Sequence, residues 1–267
     1  MIMEAYGNLY SLQSDQLVSE SAGWGQIIIM LIILAAFIVY AVIQYIRKKD
    51  SVALFMLGSG LVALFNEGNF DVLVHLTQPA NALFPVYWNY GQPMPLGFDL
   101  GYLGVFTLMS YATYYFLKRN PSRKGFWSLW LGIAIACLAI EIPGVAMGVY
   151  KYQGEQMLRI FGYPAYNLWI NATGWLLTGL LIMVFEPVLK GWKRLALSLI
   201  PCLAFAMAWG MCDIPIVCAL NIAGMPVWGQ WILMLVSLGI SLLVTNTLVG
   251  IFAKDSETKW QIPWNIG

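Results

Sequence analysis

Charge is scarce in this chain. Its 267 residues include 14 Lys or Arg, 13 Asp or Glu and a single histidine, so 10% are charged and the formal net charge is +1. Soluble globular proteins carry about 25% charged residues, so the composition argues against a soluble domain. A nucleic-acid binder needs a strongly basic face or stripe, and no such excess exists. With 60% hydrophobic residues and a mean hydropathy of +0.72, the chain also lacks the signature of disorder. No CxxC pair occurs. Cys137, Cys202, Cys212 and Cys218 sit singly in apolar runs and read as small buried residues, not as a disulfide framework or a zinc knuckle. GxSxG, HExxH and GxxxxGK[ST] are missing. One histidine cannot furnish the multi-histidine set of membrane di-iron hydroxylases or desaturases. Every lysine falls outside the apolar runs, which leaves rhodopsin-type retinal attachment without an anchor.

What the chain has in quantity is long apolar sequence. Stretches near the roughly 20 residues that cross a bilayer occur at about 26–46, 51–73, 100–117, 126–147, 164–185, 195–220 and 227–253. The expected fold is an all-α integral membrane protein, one seven-transmembrane-helix bundle with no separate soluble domain. Residues 1–24 hold Glu4, Asp15 and Glu20 but no Lys or Arg. A secretory signal needs a basic start, so the first span is expected to be retained.

Basic residues orient the bundle. Arg47, Lys48 and Lys49 follow span one, and Lys118, Arg119, Arg123 and Lys124 join spans three and four. Lys190, Lys193 and Arg194 join spans five and six, while Lys254 and Lys259 follow span seven. In a seven-span frame those 12 of 14 basic residues lie on one side, and only Lys151 and Arg159 lie on the other. The positive-inside rule then places the N-terminus outside and the C-terminus in the cytoplasm, across a plasma (inner) membrane. Trp24, Trp127, Trp130, Trp192, Trp228 and Trp231, with Tyr111, Tyr114 and Tyr115, fall near span ends and read as interfacial belt residues. The longest connection, about 75–99, is rich in proline and aromatics and is expected to cap the bundle, dip into the interface or pack as an ordinary loop.

Ionisable residues inside membranes are costly and mark function by default. Span two carries Glu67 and Asp71, followed by His75, at successive four-residue steps that share one helical face. Asp99 precedes span three and is expected in water. Span four carries Glu141 just before Pro143 and Gly144. Span five holds Asn167 and Asn171, span six Trp209 and Asp213, and Asn221 follows. Every acid well inside a span lies toward the outer side, and none is matched by an intramembrane Lys or Arg. Glu186, at the inner boundary, reads as interfacial.

A carboxyl in apolar surroundings keeps its proton more readily, because the charged form loses solvation. A protonated acid beside an ionised one is the division of labour that reactions through cations require. Glu67, Glu141 and Asp213 are therefore the candidate acid, base or cation stabiliser. Asp71, His75, Tyr150, Tyr152, Asn167, Asn171, Trp209 and Asn221 are the candidate substrate-binding residues, with the Trp209 ring face suited to a cation. Glu67, Asp71 and His75 could also be read as a mononuclear metal set, but the expectation is chemistry without a metal or organic cofactor.

Two segments carry a resemblance: NEGNFDVLVHLTQPANALFPVYWNYGQPMP at 66–95 and EIPGVAMGVYKYQGEQMLRIFGYPAYNLWIN at 141–171. An E-x-x-x-D stretch precedes an aromatic, proline-rich loop, and a later glutamate precedes a G-x-Y-x-Y-x-G turn. Together they resemble the avermectin spirocyclase-like (AveC-like) integral membrane proteins, closely over about 60 residues and loosely over the seven-span frame. The resemblance favours Glu67, Asp71, Glu141, Tyr150 and Tyr152, and implies spiroketal formation or dehydration on a lipophilic polyketide. Membrane carotenoid hydratases show a similar glutamate and G-x-Y-x-Y turn. Fungal seven-span meroterpenoid cyclases have an early Glu and a late acid, a layout similar to Glu67 and Asp213.

The expected function is thus a membrane-embedded cyclase, dehydratase or isomerase of a lipophilic polyketide- or isoprenoid-like molecule. Its expected partners are that molecule and the lipid bilayer. The alternative is a non-enzymatic lipid-binding subunit or a transporter of a hydrophobic small molecule, for which Pro215 beside Asp213 would mark a broken helix.

Overall fold

Backbone groups in hydrocarbon find partners only within a helix or a closed barrel, so long apolar runs become helices. A computed structural model of the chain describes residues 16–256 and is mostly helical. Glu4, Asp15 and Lys259 lie outside the described residues. The helices are α1 (Glu20–Lys48), α2 (Val52–Leu73), α3 (Leu96–Gly101), α4 (Thr107–Leu117), α5 (Arg123–Ala146), α6 (Tyr166–Phe185), α7 (Ile200–Ala208), α8 (Ile214–Asn221) and α9 (Val227–Phe252). A π turn at Tyr102–Phe106 joins α3 to α4 and another at Trp209–Asp213 joins α7 to α8, while a 3-10 stretch at Gly191–Ser198 leads into α7.

Six helical segments are long and apolar enough to cross a membrane: α1, α2, α5, α6, the composite Gly191–Asn221, and α9. The chain is an α-helical membrane protein. The run from α3 through its π turn to α4 is also continuous helix, but it is not among the six. It carries Asp99, Thr107, Ser110, Thr113 and four tyrosines, polar groups that the bundle buries or pairs in place of lipid-facing apolar ones.

Local signals set the helix ends. Ser19 caps α1, its Oγ accepting from the Ala22 amide at 3.2 Å, and Ser122 caps α5 by accepting from the Gly125 amide at 3.3 Å. Lys49 closes α1 in the left-handed region at φ 57°, after the basic last-turn residues Arg47 and Lys48. Pro143 does not end α5, which runs on to Ala146.

The bundle is organised around α6, which packs against α4, α5, α7 and α9 and is the most buried of the six spans. On the far side of α4, α1 packs on α2, α3 and the first π turn. Small residues permit this closeness: a side chain at Gly60 would meet the Tyr102 carbonyl at 2.7 Å and Leu103 Cα at 2.9 Å. This packing changes the reading of the tyrosines. Tyr111 and Tyr114 are core residues beside Phe37 and Ile182, because α4 is enclosed by α2 and α6, and only Tyr115 keeps an exposed ring. Trp130 likewise turns inward and donates to Thr173 Oγ1 at 3.1 Å.

Connection 75–99 is ordered. It contains β1 (Leu76–Thr77) and a hairpin of β2 (Pro85–Asn89) with β3 (Gln92–Pro95). The hairpin lies along α2, with the Tyr87 hydroxyl donating to the Leu64 carbonyl at 2.6 Å, and presents Phe84, Val86 and Trp88 outward. After α5, β4 (Lys151–Tyr152) pairs antiparallel with β1, matching Leu76 to Tyr152 and Thr77 to Lys151. β5 (Arg159–Ile160) and β6 (Tyr163–Pro164) complete the same loop layer. At the opposite end, Glu186 is ion-paired with Arg194 at 2.9 Å and lies 3.8 Å from Lys118.

Gly60→Ala should lower stability by about 1–3 kcal/mol through overpacking against rigid backbone. Gly132→Ala, at a helical site with nothing within 4 Å, should leave it unchanged or slightly raised. Thermal unfolding of the two variants in the same detergent checks the contrast.

Candidate functional site

Residues four apart on a helix share a face, and α2 turns Glu67 and Asp71 together into the bundle interior. A cavity of about 370 Å³ opens there, within the roughly 300–1,000 Å³ range of small-molecule sites. Glu67 and Asp71 enter from α2, Glu141 from α5, Asn167 and Asn171 from α6, Trp209 from the second π turn, and Tyr150 and Tyr152 from the loop after α5. Among the described residues, no Lys, Arg or His lines it.

Each acid meets a donor supplied by a different element. Tyr150 donates to Glu141 Oε2 at 2.6 Å. Gln78, in the turn after β1, donates through Nε2 to Asp71 Oδ2 at 3.5 Å. Tyr102, in the first π turn, stands beside Glu67, which also neighbours Asp71. Glu141 stands within electrostatic range of both. Such π turns often mark functional sites, and this one places Tyr102 over α2.

Strand periodicity explains the two loop tyrosines. Tyr150, Lys151 and Tyr152 alternate, so both rings face the cavity while Lys151 faces out. The β1–β4 pairing and the Gln153 amide, donating to the His75 carbonyl at 2.8 Å, tie this segment to the end of α2. Gly148 supplies the turn at φ 73°. Gly144 is needed for contact, since a Cβ there would lie 2.5 Å from the Tyr150 hydroxyl and 2.8 Å from its ring. Burial first, and then the Glu141 carboxyl, push both tyrosine hydroxyls well above their usual pKa range, so they stay uncharged. Tyr152 accepts from Asn167 Nδ2 at 3.2 Å. Two further polar groups on cavity-lining residues, the Trp209 indole N–H and Asn167 Oδ1, are buried without a partner among the described residues. Orphans of this kind suit a ligand.

Aromatic rings form the walls and floor. Phe98 meets Tyr102 at 5.4 Å and Tyr150 at 5.8 Å, and Trp209 meets Phe70 at 5.0 Å. Beneath them Phe106, Trp175 and Phe205 pack at centroid distances of 4.4–5.3 Å and close the chamber toward the basic end of the bundle.

Three expected site residues stand elsewhere. Asp213 is 1% exposed, near Tyr166, and does not line the cavity. The π turn breaks the four-residue alignment that would have put it beneath Trp209. His75 leaves α2 at φ 58°, and its Nε2 lies 3.0 Å from Asn221 Oδ1, while Asn221 Nδ2 donates to the Leu73 carbonyl at 3.0 Å. That pair clasps the ends of α2 and α8. Among the described residues no three of His, Cys, Asp and Glu gather as a metal-binding group. Asp99 is 2% exposed and therefore not in water. Sequence reasoning passed over Tyr102, Phe98 and Gln78. Tyr102 has no acid at helical spacing that reaches the cavity, and nothing in local spacing announces a π turn.

Family models, curated proteins and solved structures were each compared with the chain, and none matches.

Gly144→Ala and Tyr150→Phe should each cost about 1–3 kcal/mol, by displacing the Tyr150 ring or by leaving the buried Glu141 carboxyl without its donor. Both changes break one contact, so the double variant should lose less than the sum. Unfolding measured across the four proteins of the cycle checks this.

Proposed function

We propose that this chain is a seven-helix integral membrane enzyme that cyclises, dehydrates or isomerises a lipophilic polyketide- or isoprenoid-like molecule by carboxylate acid–base catalysis. The observation that carries the reading is the meeting of Glu67, Asp71 and Glu141 in one apolar chamber with tyrosine donors and, among the described residues, no lining cation. One carboxyl gives a proton to a carbonyl, hydroxyl or alkene of the substrate. An ionised carboxyl steadies the resulting cation or removes a proton from it, as in other sites that divide the two roles. Glu67 and Glu141, on separate helices, flank the substrate, and Asp71 orients Glu67. Trp209 and Tyr102 offer ring faces to developing positive charge, and the closed aromatic floor keeps water from the cation. The similarity of 66–95 and 141–171 to the avermectin spirocyclase-like family points the same way. Asp213, set off the chamber wall, is a structural acid in this scheme.

The run from α3 to α4 serves as the seventh span. The N-terminus is then outside, the basic loops and the C-terminus are cytoplasmic, and the chamber lies in the outer half of a plasma membrane. A fluorescent protein fused to the C-terminus in a bacterial host should fluoresce, and alkaline phosphatase fused after Glu155 should be active. The reverse pair of results would invert the protein.

Glu67→Gln and Glu141→Gln should each slow turnover by about 10²–10⁴-fold, the usual contribution of a general acid or base, while Asp213→Asn changes it only a few-fold. Lipid extracts of membranes carrying the wild-type protein or a variant supply the readout by mass spectrometry. The variants should accumulate a compound that the wild type converts to an isomer or to a product lacking one water. If Glu67→Gln and Glu141→Gln change binding or flux of a molecule that is never altered chemically, the chamber is a lipid-binding or transport site.

A further inference from the structure

The chamber is closed on the loop side. Val74, Leu76, Val149 and Tyr152 line it there, all buried, and Leu76 and Tyr152 are themselves paired across β1 and β4. Phe106, Trp175 and Phe205 close the floor. One flank is different. The face of α1 formed by Gln26, Ile29, Met30 and Ile33 lines the cavity, as do Ala139, Ile140 and Pro143 of α5 and Met147 just after it. Yet α1 and α5 are not packed on each other among the described residues: α1 rests on α2 and α3, and α5 on α6 and α9. Ile29, Ile140 and Met147 face the cavity and are also 51%, 37% and 42% exposed. A wall residue that is exposed in this way stands at an opening. Its surroundings are apolar, since α1 carries no charged residue between Glu20 and Arg47 and α5 none between Lys124 and Glu141.

We propose that this gap between α1 and α5 is a lateral doorway from the bilayer. Through it a membrane-dissolved amphiphile slides its apolar body into the chamber and brings an oxygen-bearing group to Glu67 and Glu141. The inference rests on reading the cavity as a small-molecule site, and it names the ligand class and the route. An aqueous solute would need a polar vestibule, and among the described residues of α1 that line the gap Gln26 alone is polar. A lipid-like molecule crosses this rim without shedding water, because hydrocarbon meets hydrocarbon on both sides. The chamber then takes up its polar group with donors and carboxyls that the bilayer core lacks.

The full chain, reconstituted in phosphatidylcholine vesicles containing a hexadecanol probe with a terminal diazirine, tests the route. After irradiation, peptide mapping should find the probe on the floor residues Phe106, Trp175 and Phe205 as well as on the outer surface at Leu131 and Leu243. Ile29→Trp with Ile140→Trp should cut floor labelling by about five-fold or more, as expected for a plugged site, and leave surface labelling unchanged. Ile32→Trp with Ile135→Trp, on the same helices but off the cavity, should change neither. Each single doorway substitution is read in the same way if the double variant does not fold. Floor labelling that survives both doorway substitutions, or surface labelling without any floor labelling, overturns the doorway. Turnover lost in Glu67→Gln while floor labelling persists through the plugs would spare the chemistry and sink only the route. The opposite pattern would spare the route.

Discussion

A carboxyl group enclosed by a membrane bundle is costly unless a donor from elsewhere in the chain meets it. That demand shapes one end of this molecule. Glu141 is met by Tyr150 across a strand-like turn, Asp71 by Gln78 beyond the end of its own helix, and Glu67 by Tyr102 from a neighbouring helix. Each donor depends on a backbone device. Gly144 lets the Tyr150 ring lie on α5, the β1–β4 pairing holds the loop layer, and the π turn over Gly60 swings Tyr102 toward α2. The acids are thus inseparable from the way the loops and helices close around them.

Charge is sorted along the bundle. Cations collect at the end where Lys118, Glu186 and Arg194 meet, and an aromatic floor separates that end from the chamber. The few basic residues at the chamber end are kept out of it. Lys151 alternates outward on β4, and Arg159 spends its guanidinium on the Tyr152 and Gly154 carbonyls at 3.1 and 2.6 Å. A cation among the acids would hold them as fixed carboxylates. Its exclusion leaves the chamber lined by acids and uncharged donors among the described residues.

The pairing of Glu67 with Asp71 could be read from a four-residue spacing, whereas Tyr150 and Tyr152 were singled out by the resemblance that their segment carries. Asn167 and Asn171 followed the same helical rule, and all six line the cavity. The readings that did not carry through depended on something other than spacing. Asp213 was chosen as an acid inside an apolar span, and the π turn in that span leaves it off the cavity wall. His75 was extrapolated along a face that its positive φ abandons. Tyr111 and Tyr114 looked interfacial because nothing in sequence shows that α2 and α6 enclose α4. Tyr102 carried no signal, since its neighbour Glu67 is 35 residues away in the chain and on another helix.

From the sequence alone came the properties that depend on a residue and its near neighbours: that the apolar runs are helices able to cross a membrane, which side chains share a face, and where positive charge is concentrated. Helical and strand periodicity are short-range, so a few residues suffice to state them. The meeting of α2 with α5 and the π turn, the closing of the loop layer over the acids, and the gap left between α1 and α5 were decided by tertiary packing. Those contacts join residues far apart in the chain through the fit of whole helix surfaces, and that fit has no period for a sequence to display.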